Sequence, residues 1–166
     1  MEIRPANTQD LDRISELYIT NHRAAYRALL SEAYFSRLTP DYARDKWARF
    51  LHDPEKVLRV AYEGAAFLGF AAGMKDEALE HTWYLESLHV VPAAQGKGVG
   101  TALIKAMKRL AKERDCLRLS ICIVKGNDAA GNLYRTLGAE HLLDFEDDFC
   151  GTVSHSEKLI WNRLDD

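Results

Sequence analysis

The 166-residue sequence predicts an α/β fold in which a mixed, mostly antiparallel sheet of about seven strands is flanked by about four helices. Three observations carry this expectation. Three short runs rich in β-branched and aromatic residues follow one another in mid-chain, with only brief polar or glycine-bearing turns between them, as in an antiparallel meander. A glycine turn then leads into a long amphipathic helix. Two further runs close the chain on either side of Gly151. No internal repeat, low-complexity tract or linker interrupts the sequence, so one domain over residues 1–166 is expected.

Taken in order, "EIRPA" reads as a short opening strand. Asn7 or Thr8 then caps a helix through "QDLDRISELYITNHRAAY", with Leu11, Ile14, Leu17 and Tyr18 on one face. A second helix is predicted from Asp41, after Pro40, through "YARDKWARFLHD", where Tyr42, Trp47, Phe50 and Leu51 are apolar. The meander is "KVLRVAYE", "FLGFAAGM" and "TWYLESLHVV", separated by "GA" and by "KDEALEH". From Thr101 onward Leu103, Ile104, Met107, Leu110 and Ala111 share one helical face, and Lys105, Lys108, Arg109 and Lys112 share the other. In "LRLSICIV" Leu117, Leu119, Ile121 and Ile123 alternate with Arg118, Ser120 and Cys122, the pattern of a strand with one face in the core. "NDAAGNLYRTLGAE" predicts a helix closed by Gly138 in a left-handed conformation. "EHLLDFEDDF" and "HSEKLIWN" predict the terminal strand pair.

Composition narrows the function classes. The chain is 47% hydrophobic and 28% charged, with a net charge of -3, which is ordinary for a globular protein. A chain of this size buries about 70% of the surface its unfolded form exposes. Lys and Arg total 22 against 25 acids, so no nucleic-acid surface is expected. The start, "MEIRPANTQDLDRI", lacks a signal-peptide pattern, and no apolar run approaches the roughly 18 residues of a membrane span. A soluble, cytoplasmic protein is therefore expected, with no membrane partner. Cys116, Cys122 and Cys150 show no C-x-x-C spacing and read as free thiols; neither they nor the scattered histidines suggest a metal.

The stretch "VVPAAQGKGVGTALIKAMKRL" is the most informative. A loop that runs into a helix N-terminus gathers unpaired backbone N–H groups and the positive end of the helix dipole, and so can hold a phosphate. Glycines let an anion approach the backbone with no Cβ in the way. A P-loop requires G-x-x-x-x-G-K-[ST], but Val91 stands five before Gly96, and Gly98 follows Lys97. A dinucleotide fingerprint requires G-x-G-x-x-G after a first strand, whereas Gly96, Gly98 and Gly100 alternate beyond mid-chain.

Gln95, Gly98 and Gly100 match the Q/R-x-x-G-x-G/A signature of the GNAT superfamily of N-acetyltransferases, which the chain resembles from Glu2 to about Trp161. The order of elements is similar to that family's. "VKGNDAAGNLYRTLGAE" also resembles its downstream N-x-x-A-x-x-x-Y-x-x-x-G pattern, through Asn127, Ala130, Tyr134 and Gly138. The resemblance implies a GNAT fold and acetyl-CoA as acyl donor, with no metal. It implies coenzyme contacts from Leu88, His89 and Val90 on the strand before the turn, and from Gln95, Gly96, Lys97, Gly98, Val99 and Gly100 on the turn. It also implies a homodimer as one open assembly, and an acceptor amine, of a small molecule or a peptide, held by "HRAAYRALLSEAYF" and "EHLLDFEDDF".

Acetyl transfer to an amine needs a proton acceptor, because an alkyl amine with a pKa near 10.4 is protonated at neutral pH, and it needs stabilisation of a tetrahedral oxyanion. By resemblance a backbone N–H around Val90 serves the oxyanion, and the Tyr134 hydroxyl protonates the leaving thiolate. Glu86, two residues before Leu88, is the candidate base. Each residue also has a structural reading: Tyr134 as a packed aromatic, Glu86 as a solvated strand carboxylate, His89 as a side chain turned away from Leu88 and Val90. Asn127 suits a coenzyme contact or a helix N-cap equally. The acids Glu140, Asp144, Glu146, Asp147 and Asp148 either attract a cationic amine or form a solvated loop. The alternative to an enzyme is a catalytically silent acyl-CoA-binding module on the same fold.

Overall fold

A computed structural model describes residues 1–165. The chain runs β1 (Glu2–Pro5), α1 (Leu11–Tyr26), α2 (Glu32–Ser36), α3 (Pro40–His52), β2 (Val57–Glu63), β3 (Ala66–Lys75) and β4 (Thr82–Val90), then α4 (Val99–Glu113), β5 (Arg118–Val124), α5 (Asp128–Thr136), β6 (Glu140–Phe149) and β7 (Thr152–Trp161). The strands form one sheet in the order β1-β2-β3-β4-β5-β7-β6. Among the described strands only β4 and β5 pair in parallel, and the other neighbours are antiparallel. A parallel pair needs a crossover, and α4 supplies it.

Local chemistry explains most boundaries. Before α1, Asn7 and Asp10 form a reciprocal capping box around a short 3-10 turn. Thr39 caps α3 by accepting the N–H of Tyr42 at 3.1 Å, with Pro40 at the first helical position, one residue ahead of the predicted start. The described residues hold five helices rather than about four. The additional one, α2, is a short helix started by Ser31, whose Oγ accepts the N–H of Tyr34 at 3.3 Å. The β6–β7 hairpin turns through Cys150 and Gly151, both at positive φ (53° and 86°) as type I′ turns require.

The sheet is covered on both faces. On one side α4 packs Leu103, Ile104, Met107, Leu110 and Ala111 against Trp83, Leu85, Leu119 and Ile121. On the other, α1 and α3 pack Ile14, Leu17, Tyr18, Trp47 and Phe50 against Leu58, Val60 and Phe70. Three expectations change. Lys108 is buried rather than on the open face of α4, one turn beyond the buried Ile104. Leu117 lies outside β5 and is exposed. Ser120, on the predicted polar face of β5, is fully buried, its Oγ donating to Asp76 at 2.6 Å. No helix among the described residues is long and apolar enough to cross a membrane.

Candidate active site

The site begins where two strands part. β4 pairs with β3 as far as Val90, and β5 pairs with β7 as far as Val124. Yet β4 and β5 pair with each other only over Thr82–Leu85 and Arg118–Ile121. Beyond Leu85 the two backbones diverge, and a cleft of about 940 Å³ opens between them.

A bulge in β4 decides which side chains enter that cleft. Ala72 pairs with Ser87 and Gly73 with Leu85, so Glu86 is the extra residue. An extra residue shifts the two-residue alternation of a strand by one. Accordingly Trp83 and Leu85 before the bulge, and Leu88 and Val90 after it, all face the α4 side. Glu86 and His89 are left on the α1–α3 side. Glu86 accepts from Lys46 Nζ of α3 at 3.0 Å and from Ser87 Oγ at 2.6 Å. The His89 ring stacks on Phe70 at 5.2 Å and lies 5.4 Å from His22 and 5.7 Å from Tyr18.

One end of the cleft is the glycine turn. Gly96 and Gly98 adopt φ of 72° and 85°, and Gly98 caps α4 with no side-chain hydrogen bond. The first turn of α4 therefore leaves its leading N–H groups free for a ligand. Gln95, Gly96, Gly98 and Gly100 line the cleft; Lys97 is exposed outside it, and Val99 is buried in the core. The Val90 carbonyl accepts from Asn21 at 3.1 Å and from Gln95 at 3.2 Å, which ties α1 and the turn to the end of β4.

Tyr134 enters from α5 and is 5% exposed, its ring edge-on to Trp161 at 5.9 Å. Burial, and then the nearby Tyr26, raise its pKa above that of a free phenol, so the hydroxyl keeps its proton. Asn127 holds the N-cap position of α5 but makes no capping bond; its Nδ2 lies 3.5 Å from the Tyr26 hydroxyl, at the limit of a hydrogen bond. Leu88, His89, Val90, Glu86, Asn127 and Tyr134 all line the same cleft.

The segment 22–35, expected to hold the acceptor, lines the cleft through His22, Tyr26 and Tyr34, joined by Tyr18, which was expected only as a core position of α1. Tyr18, His22 and Tyr26 are spaced at i, i+4 and i+8 on α1, a stripe that the helical period makes legible in retrospect. His22 Nδ1–H donates to the Tyr18 carbonyl at 3.2 Å. Burial, with Lys46 nearby, pulls its pKa down to about 4, and burial beside His22 pulls His89 well below its ordinary range. Both rings are neutral at pH 7. Lys46 had no sequence signal at all. Of the acidic run, only Asp147 lines the cleft: Asp144 pairs with Lys125, Glu146 with His155, and Asp148 accepts the Gly151 N–H. The run lies on a strand, not a loop.

His141, Asp144 and Glu157 bring ligand-type atoms within 4.8 Å of one another beside a second pocket of about 330 Å³. Arg135 and Lys125 already neutralise Glu157 and Asp144 there.

The model of the acetyltransferase (GNAT) family matches residues 22–139. Thialysine N-epsilon-acetyltransferase of Mus musculus is 36% identical over 63 residues, 38% of this chain and 37% of that protein, so the match spans little more than a third of the relative's length. The uncharacterized N-acetyltransferase YhfO of Bacillus subtilis is 29% identical over 147 residues, 84% of this chain and 90% of that protein. The PaiA N-acetyltransferase of Thermoplasma acidophilum, solved with coenzyme A, shares the fold with a TM-score of 0.71 at 17% identity, over 94% of this chain and 96% of that one.

Proposed function

The chain belongs to the GNAT acetyltransferase family, and from that premise we propose that it is one domain that transfers an acetyl group from acetyl-CoA to a primary amine by direct attack. The observation that carries this reading is the divergence of β4 from β5 beyond Leu85, with the glycine turn at one end of the opening and Tyr134 inside it. The likeness to a fold solved with coenzyme A adds support.

The pyrophosphate sits on the N–H groups of Gly96, Lys97, Gly98, Val99 and Gly100, aided by the dipole of α4. Lys97 and Val99 contribute through backbone alone, since neither side chain faces the cleft. Leu88, His89 and Val90 present backbone to the pantetheine arm, and Asn127 borders it. Because the turn follows Val90, an extended arm carries the thioester back along β4 toward Glu86. The oxyanion then meets a backbone N–H of the unpaired stretch rather than one at Val90 itself. Glu86 takes a proton from the ammonium, the neutral nitrogen attacks the thioester carbon, and the tetrahedral adduct expels the thiolate, which takes the Tyr134 proton while the second nitrogen proton returns to the tyrosinate.

Calorimetry with acetyl-CoA, followed by thiol release with a panel of amines, tests the proposal. Binding with amine-dependent release is expected. The Glu86–Lys46 ion pair favours the silent acyl-CoA module as a second reading, and binding without release from any amine would establish it.

A further inference from the structure

The charge distribution on the cleft wall narrows the acceptor, given the acetyl transfer proposed above. Among the described residues lining the cleft, Lys46 is the single lysine or arginine, and Glu86 and Asp147 are the acids. Lys46 and Glu86 touch at 3.0 Å, and each side chain is about a quarter exposed (26% and 23%). Lys46 lies on the Tyr18 and Trp47 rings, at 5.2 and 5.1 Å, which fixes it on that wall. It is not placed to serve the pyrophosphate: Glu86 stands four residues before Val90, roughly 12 Å along a strand, and the turn lies beyond Val90.

We propose that the acceptor is a free α-amino acid or a close analogue, its ammonium group meeting Glu86 and its carboxylate meeting Lys46. The two wall charges are adjacent, as the amine and carboxylate of an α-amino acid are, so a zwitterion replaces the internal ion pair without leaving either charge unpaired. A simple amine satisfies Glu86 but sets a second cation beside the Lys46 ammonium, and a polyamine meets the same repulsion there, offset only where a further ammonium reaches Asp147 on β6. His22 and His89 do not alter the balance, being neutral.

The rest of this half suits an apolar or aromatic side chain on a small molecule. Tyr18, Tyr34, Phe145 and Phe149 face the space. Tyr34 of α2 meets Phe149 of β6 edge-on at 5.4 Å, so the two walls touch. That contact disfavours a polypeptide continuing from the carboxyl carbon.

The test is kcat/KM, by thiol release from acetyl-CoA, for L-phenylalanine against phenethylamine and L-phenylalaninamide, and for L-leucine against 3-methylbutylamine and spermidine. Each amino acid is expected to exceed its carboxylate-free counterparts at least tenfold. Lys46→Met should pull that ratio toward one through KM for the amino acid, and Lys46→Arg should largely keep it. Acetyl-CoA affinity, measured on the same preparations, reports folding and coenzyme binding separately. Amines or spermidine used as well as the amino acids would overturn the acceptor class while leaving acetyl transfer standing, as would an unchanged ratio in a Lys46→Met protein that still binds acetyl-CoA. Acetyl-CoA bound with no acceptor turned over would overturn the acceptor class and favour the silent module. Absence of acetyl-CoA binding would overturn both readings.

Discussion

The two halves of the cleft are built from different materials. The half proposed for the coenzyme is mostly backbone: positive-φ glycines, the N-terminus of α4, and the strand edges freed where β4 leaves β5. The half proposed for the acceptor is almost entirely side chain, with Lys46 from α3, Tyr18 and His22 from α1, Tyr34 from α2, and Phe145 and Phe149 from β6. A backbone cradle tolerates most substitutions that keep its dihedral angles. A side-chain wall changes character with any one of its members, because each brings a charge or a volume that no neighbour duplicates.

Substitutions can break this contrast, and the largest effects fall where chemistry meets the two halves. Tyr134→Phe should lower kcat by ~10²-fold or more while acetyl-CoA affinity, measured by calorimetry, stays within a few-fold of wild type. Turnover at the wild-type rate would remove the acid role. Glu86→Gln should reduce kcat at neutral pH by a comparable factor and alter the pH profile; an unchanged profile would leave Glu86 as half of a structural ion pair.

Gly98→Val should weaken acetyl-CoA at least tenfold. At φ of 85° a β-branched residue costs on the order of 1–3 kcal/mol, and relieving that strain turns the amides away from the ligand. Lys97→Ala marks the small end of the scale, about twofold, since that side chain stands outside the cleft. Equal losses in the two variants would show that the turn binds through side chains after all.

Between these lies a stability effect confined to the acceptor half. His22 has a folded pKa of about 4 against an ordinary 6.5, because burial disfavours its charged form and Lys46 opposes it further. Between those values the unfolded chain binds a proton that the folded chain refuses, so stability rises with pH across that window and falls on acidification. Urea unfolding at pH 7 and pH 4.5 should differ by roughly 1–2 kcal/mol more in wild type than in His22→Gln, after allowance for partial exposure. Equal differences would place the ring in water.

How much of this was legible follows the same division. The turn, its helix and the downstream Asn127–Gly138 segment were readable because glycine spacing and helical periodicity are local properties. Helix α2 was not, since a five-residue helix has too few turns to show a period. Glu86 was found by its place two residues before Leu88, but the bulge that aims it was invisible: a bulge appears only when the pairing of β3 with β4 is known. Asn127 stood equally for a cap or a coenzyme contact; it holds the N-cap position of α5, but its side chain reaches toward Tyr26 instead of making the capping bond. The acidic run suggested an attraction for cations, yet pairing within β6, β7 and their neighbours turns most of it from the cleft.

Sequence alone determined the strand meander, the glycine turn and the amphipathic α4, because each is encoded within a window of about twenty residues by periodicity, capping and backbone freedom. Only the tertiary structure decided what stands across the cleft from the glycine turn. Lys46 and Glu86 are 40 residues apart in the chain, and neither residue type, alone, predicts the other. Their meeting depends on α3 crossing the sheet over a bulge that shifts β4 by one residue, a long-range packing outcome that local spacing does not record.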